Sequence, residues 1–235
     1  MRYAVPIVAV VVDLVLLALA AVQLRRVVAR VRGRAPGESR VTALEEALVG
    51  VFRSRALASL IATELAALAL AIGGWFRRAP EGYSMHRGTS YLAIIGVIVF
   101  LATVEGVGAH LLLARASTIA AWVVSGLTAY SLLWLIGDAQ AVRLSPLRVT
   151  DTELVIVKGL RWRVAVPRDA IEAVHAIEAR VEGALDLSLG EPNVLLELRA
   201  PVRAHGLLGR VRAADRVMLS IDDRERFLAA SRGRS

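Results

Sequence analysis

The chain has no cysteine among its 235 residues, which excludes disulfides and thiolate chemistry. Of its 29 basic residues all but Lys158 are arginine, a bias that GC-rich coding explains better than nucleic-acid binding does. The sequence also lacks a glycine-rich phosphate loop, a nucleophile elbow, an HExxH helix and the known nucleic-acid-binding signatures. A catalytic role is therefore the less favoured interpretation, and we expect no nucleic-acid partner.

Long apolar runs are what the sequence has in abundance, since 56% of its residues are hydrophobic. A helix needs roughly 20 apolar residues to cross a bilayer. Runs of this length predict four transmembrane helices, at about residues 3–24, 56–76, 89–114 and 117–141. Only Arg115 and Ala116 separate the last two, which predicts an antiparallel helical hairpin. We therefore expect a multi-pass protein of the plasma (cytoplasmic) membrane, with the lipid bilayer as its first partner.

The pattern changes at residue 142, where short, β-branched, alternating segments begin. They predict seven strands near residues 143–150, 153–158, 161–166, 172–178, 184–189, 193–203 and 211–221. A terminal helix follows, with Asp222 as N-cap and Glu225 completing a capping box. Seven strands and one helix in so short a segment predict a small antiparallel barrel or sandwich.

Two stretches of this region resemble bacterial PH-like domains. One is the turn Val166-Pro167-Arg168-Asp169-Ala170-Ile171-Glu172-Ala173-Val174, which follows a strand hairpin, and the other is the ending VMLSIDDRERFLAAS. The whole chain is similar to bacterial multi-pass proteins that place such a domain after a few helices. The resemblance implies a four-helix membrane domain (1–141) followed by a small all-β PH-like barrel with a terminal helix (142–235). It also implies a role in binding or assembly, and it brings no catalytic residues.

Four ionisable residues lie within the predicted spans, namely Asp13, Glu64, Glu105 and His110. Counted from the flanking arginines at 1.5 Å per residue, the three carboxyls lie roughly 14–18 Å deep and His110 roughly 8 Å deep. Charged groups are costly inside a bilayer, so each needs a reason to be there. Burial and mutual repulsion would keep the carboxyls largely protonated unless a cation lies among them.

Three interpretations of this polar cluster stay open. The first is structural, with neutral carboxyls forming hydrogen bonds between helices. The second is a proton- or ion-handling site made by Glu64, Glu105 and His110. The third is a divalent metal such as Zn, Mn or Fe on the same three residues, as an intramembrane metal-dependent hydrolase would use. A working ion pathway would also need a homo-oligomer, because four helices leave little room for one.

Two further polar sites lie near the predicted membrane boundary. Arg161, Trp162 and Arg163 on one strand are candidates for contact with lipid headgroups or a protein partner, although a solvated face with one buried tryptophan is the simpler explanation. Asp138, near the end of the fourth span, is expected to meet water. The positive-inside rule slightly favours the 25–55 loop in the cytoplasm, whereas PH-like domains of this kind are usually cytoplasmic themselves. Both orientations therefore stay open.

Overall fold

The computed structural model describes residues 22–23, 25–33 and 40–232, and within them the N-terminal half is helical. The long helices are α1 (Arg40–Phe52), α2 (Arg55–Gly73), α3 (Tyr91–Ala114) and α4 (Thr118–Leu144). Three segments are long and apolar enough to cross a membrane: Arg55–Phe76, Tyr91–Ala114 and Thr118–Leu144, with mean hydropathies of 2.0, 2.3 and 1.8. The three predicted spans that fall on described residues are therefore confirmed, as is the broad assignment to membrane proteins. The remaining predicted span, 3–24, lies outside the described residues except for 22 and 23, and so does Asp13.

The chain divides into two compact units, residues 1–63 and 64–235. In the first unit, buried Leu48, Ala58 and Ala62 form a small apolar cluster. An exposed ion pair joins Arg30 to Glu46, with Nη2 2.5 Å from Oε2. Exposed pairs of this kind contribute little, about 0–1 kcal/mol.

Within the second unit, α3 and α4 form the predicted hairpin. The hydroxyl of Ser117 accepts a hydrogen bond from the Ala120 amide (3.3 Å) and caps the start of α4. Further along α4, Gly137 lies against α2, where an added Cβ would come within 2.8 Å of the Ala67 Cα. Glycine is needed here because any side chain would push the two backbones apart.

The C-terminal half is one open seven-stranded sheet followed by a terminal helix, α5 (Arg224–Arg232). Its strands are β1 (Arg148–Val149), β2 (Glu153–Lys158), β3 (Trp162–Pro167), β4 (Ile171–Ala176), β5 (Leu185–Asp186), β6 (Val194–Gly206) and β7 (Val211–Leu219). The order is β1-β2-β3-β6-β7-β5, with β4 paired to β6. The first predicted strand, 143–150, is shortened to two residues because α4 continues through Leu144.

β6 connects the two parts of the sheet. Along one edge its first half pairs with β4 (Val194 opposite Ala176) and its end pairs with β3 (Gly206 opposite Trp162). Its pairing with β7 shifts register between Glu197 and Val202. Pro201 lies in that interval, and proline cannot donate a ladder hydrogen bond. The irregularity thus separates the half of β6 paired with β4 from the half paired with β3.

The core of the second unit lies between the sheet and α5. Phe227 of α5 is 1% exposed and meets the ring of Tyr83 edge-on, with centroids 5.2 Å apart. It packs with the inward side chains of the strands, which include Leu154, Ile156, Val164, Val166, Leu196, Val217 and Leu219. Burying one such side chain stabilises the fold by about 1.5–3 kcal/mol. α5 therefore belongs to the core.

The loop between α2 and α3 is also part of the sheet domain. Tyr83 and Leu147 exchange backbone hydrogen bonds of 2.8 and 2.9 Å, and Met85 is 3% exposed within the core. The Ser220 hydroxyl donates to the Met85 carbonyl (3.3 Å). The chain thus enters the sheet domain before α3, and again after α4.

We expect Gly137→Ala to destabilise the protein, while Gly126→Ala on the same helix does not. A Cβ at residue 137 would overlap the Ala67 backbone, whereas a Cβ at residue 126 meets nothing within 4 Å. Overpacking costs about 1–3 kcal/mol, and replacing an open helix glycine by alanine gains about 0.5–1 kcal/mol. Denaturant unfolding in mild detergent gives the free energy of unfolding of each variant. Equal stability of the two would contradict the close contact between α2 and α4.

Candidate functional site: the junction of helices and sheet

A buried carboxylate joins the membrane helices to the sheet. Asp138 of α4 is 4% exposed, and its Oδ2 lies 3.0 Å from Nη2 of Arg161 and 2.8 Å from the Tyr91 hydroxyl, which donates to it. Its Oδ1 accepts from the backbone amide of Leu160 (2.9 Å). We call Asp138, Tyr91, Leu160 and Arg161 the junction cluster. It joins α4, the first residue of α3 and the turn between β2 and β3.

Arg161 completes the cluster from the sheet side. Its Nη2 also donates to the Tyr91 hydroxyl (2.6 Å), and its guanidinium carbon lies 5.4 Å from the centre of the Tyr91 ring. One cation thus contacts both a carboxylate and the face of an aromatic ring, a geometry suited to the planar guanidinium. The charge that Asp138 carries into the helix end is thereby compensated.

The turn that presents Arg161 depends on glycine. Gly159 has φ +57°, in the left-handed region that residues with side chains seldom adopt. A Cβ at Gly159 would also overlap the carboxylate of Asp138. Both the backbone conformation and the available space therefore require glycine at this position.

A second junction lies around Asp222, three residues after the end of β7 at Leu219. Its carboxylate accepts hydrogen bonds from the amides of Arg87 (2.8 Å) and Gly88 (2.7 Å). Partial burial works against the charge of Asp222, but hydrogen bonds from Ser84, Gly88 and Arg87 together hold the pKa of its carboxyl below the usual value. Burial lowers the pKa of neighbouring His86, which favours its neutral form. This junction fixes the loop that leads into α3.

The capping role predicted for Asp222 is wrong. The helix begins at Arg224, and the side chain next to its start is Asp223, whose Oδ1 accepts from the Arg226 amide (3.3 Å). Asp222 is engaged by the amides of the distant 87–88 loop instead, and a pattern local to the sequence cannot reveal such partners.

A third contact ties the end of α2 to α4. Arg143 donates from Nη2 to the carbonyls of Gly74 (2.5 Å) and Arg77 (3.2 Å), and from Nε to Gln140 (2.7 Å). Carbonyls at a helix end lack intrahelical partners, and an arginine fork can satisfy two of them. All three contacts lie on the side of the helices that carries the sheet.

The described residues of the predicted intramembrane cluster have separate contacts. Glu64 accepts a hydrogen bond from the Tyr130 hydroxyl, and Glu105 is exposed on α3. His110 lies 2.7 Å from the Ser125 hydroxyl (Nδ1 to Oγ). Among the described residues, no group of three or more His, Asp or Glu side chains is placed to hold a metal ion. Glu64, Glu105 and His110 are thus not brought together within the described chain, and their use for ions, protons or a metal stays a prediction.

The residues of the predicted surface stretch have separate environments. Arg161 belongs to the junction cluster. The ring of Trp162 is half-buried against Gly206, where an added Cβ would come within 2.9 Å of it. Arg163 is half-buried on β3, opposite Val157 and His205. Contact of this stretch with headgroups or a partner stays a prediction.

Sequence reasoning missed the junction cluster. Asp138 was expected to meet water, yet it is buried, because α4 extends six residues beyond it and the sheet domain packs around those residues. One signal was present: an aspartate inside an apolar span needs a polar partner wherever it does not reach water.

A groove on the sheet domain is the second candidate site. It has a volume of about 470 Å³, within the range of small binding pockets. Its apolar floor is formed by Leu154, Ile171, Leu196 and Phe227. Its charged rim is formed by Arg168, Asp169, Glu172 and Arg199. Such a site suits an apolar group that carries a charge beside it.

No family model, no curated protein and no solved structure matches this chain.

We expect Asp138→Asn and Arg161→Gln each to lower stability by about 1.5–3 kcal/mol, the usual value of a hydrogen bond to a charged group. The double variant should lose less than the sum of the two, because both charges leave together. Denaturant unfolding in mild detergent gives the coupling energy. Asp215→Asn, an exposed change on β7, is the control, with an expected effect within about 0.5 kcal/mol. Additive losses would show that Asp138 and Arg161 do not interact.

Proposed function

We propose that this chain is a four-span protein of the plasma membrane whose sheet domain is PH-like and acts as a binding or assembly module. The observation that carries the proposal is the junction cluster, because it attaches the sheet domain to α3 and α4 through an ion pair whose carboxylate is buried. A domain held in this way has one orientation relative to the helices, which suits a platform for a partner. A flexibly tethered domain would need none of these contacts.

The groove is the surface we assign to the partner. β1 leads away from the end of α4. At one end of the β2–β3 ladder Lys158 pairs with Trp162, and the junction cluster lies beside this pair. The groove includes Val149 and Arg168, which lie at the far end of these strands. It therefore faces away from the helices and is accessible to a protein in the aqueous phase.

The chemistry of the groove defines the partner. Its floor accepts an apolar side chain, and Arg199 on its rim can pair with an adjacent carboxylate. Arg199 is exposed on β6, so its charge is available to a ligand at little desolvation cost. We assign the groove to a segment of a partner protein that presents an apolar residue beside an acidic one.

Site-specific photo-crosslinking tests this assignment. A photo-reactive residue in place of Glu172 on the rim should give one discrete adduct in membranes of the native cell. Arg199→Glu should abolish the adduct by repelling the acidic group of the partner, while the protein level stays unchanged. Arg78→Glu reverses the same charge at an exposed residue outside the groove, and the adduct should survive it. An adduct equally sensitive to both changes, or to neither, would refute the groove as the binding surface.

A further inference from the structure

The hairpin between β6 and β7 ends in an exposed apolar tip, which we define as residues 206–211. Leu208 is 53% exposed and Val211 is 52% exposed, while Leu207 beside them is half-buried. Exposed turns usually consist of glycine, proline and polar residues. The composition of the tip therefore needs an explanation.

The backbone of the tip is also unusual, because it is left-handed at a leucine. Leu208 has φ 59° and ψ 29°, and Gly209 follows with φ 70°. Glycine or asparagine adopts this left-handed conformation readily, whereas leucine is strained in it. The sequence thus has leucine where both the conformation and the exposure to water disfavour it. Strain at an exposed position points to a function for the side chain.

Strand geometry shows where the tip points. β3 starts directly after the Leu160 and Arg161 contacts with Asp138 and runs away from the helices. β6 is antiparallel to β3, with Gly206 opposite Trp162, so β6 runs back toward the helices. The residues beyond Gly206 continue in that direction.

The membrane boundary lies at the same level. Tyr91 is the first residue of the membrane-spanning helix α3, and its hydroxyl contacts both Asp138 and Arg161. The β2–β3 turn therefore lies where α3 enters the apolar layer. Because Gly206 pairs with the residue next to Arg161, the tip reaches the same boundary from the aqueous side.

The charges around the tip match a lipid surface. Residues 203–212 contain three arginines and no acidic residue. Arg203, Arg210 and Arg212 are all exposed. Apolar side chains flanked by arginines are the combination that binds membranes carrying anionic lipids.

We propose that the 206–211 tip is a membrane anchor of the sheet domain. Leu208 and Val211 enter the interfacial layer of the bilayer that α3 and α4 cross, and Arg203, Arg210 and Arg212 bind anionic headgroups around them. The inference does not depend on the groove or on its partner. It gives the sheet domain a second attachment to the membrane, beside the junction cluster.

The absence of native cysteine makes the test direct. Val211→Cys, labelled with an environment-sensitive fluorophore, is reconstituted as the full chain in vesicles of phosphatidylcholine and phosphatidylglycerol in equal parts. Thr152→Cys, in the exposed turn at the far end of the β2–β3 ladder, carries the same label as the control. A quencher attached to lipid chains should quench the label at 211 several times more strongly than the label at 152. Equal quenching, or preferential quenching at 211 by a water-soluble reagent, would overturn the proposal.

A second variant separates insertion from folding. Leu208→Asn suits the left-handed backbone, so the melting temperature should stay the same or rise. Asparagine cannot remain in an apolar layer, so the label at 211 should move into water. Neutral vesicles of phosphatidylcholine alone should also weaken lipid quenching at 211. An unchanged signal in both experiments would refute insertion of the tip.

Discussion

The architecture depends on one constraint: a carboxylate near the end of an apolar helix must be compensated or the helix end cannot be covered. The carboxylate of Asp138 is compensated by an ion pair with Arg161 and by hydrogen bonds from the Tyr91 hydroxyl and the Leu160 amide. Removing Arg161 would leave the buried carboxylate of Asp138 without its compensating charge, which destabilises the helix end. Separation of the sheet domain from the helices would therefore break the ion pair between Asp138 and Arg161.

The connections of the chain reinforce this attachment. The loop between α2 and α3 contributes Tyr83 and Met85 to the sheet domain, and the amides of Arg87 and Gly88 bind Asp222. The sheet domain thus includes residues from before the α3–α4 hairpin as well as after it. The hydrogen bonds of the loop and of the end of α4 therefore depend on the strands of the sheet.

Hydropathy along the sequence predicted the three described spans because an apolar run is a local property. Strand positions followed in the same way, from alternation. The junction cluster could not be predicted from local patterns, because Asp138 and Arg161 are distant in sequence and are brought together only by the fold. The environment of Glu105 could not be predicted for a related reason. Counting residues gives the depth of Glu105 but not the direction it faces around the helix axis, and the structure places it on an exposed face.

The most direct test is the distance between the helices and the sheet domain in a lipid nanodisc. Spin labels at Ile119→Cys, at the start of α4, and at Thr152→Cys, in the far turn of the sheet domain, report it by pulsed electron resonance. A sheet domain held by the junction cluster gives one narrow distance distribution, which broadens when Asp138→Ala removes the carboxylate. A broad distribution in the parent, or one that Asp138→Ala leaves unchanged, would contradict the account.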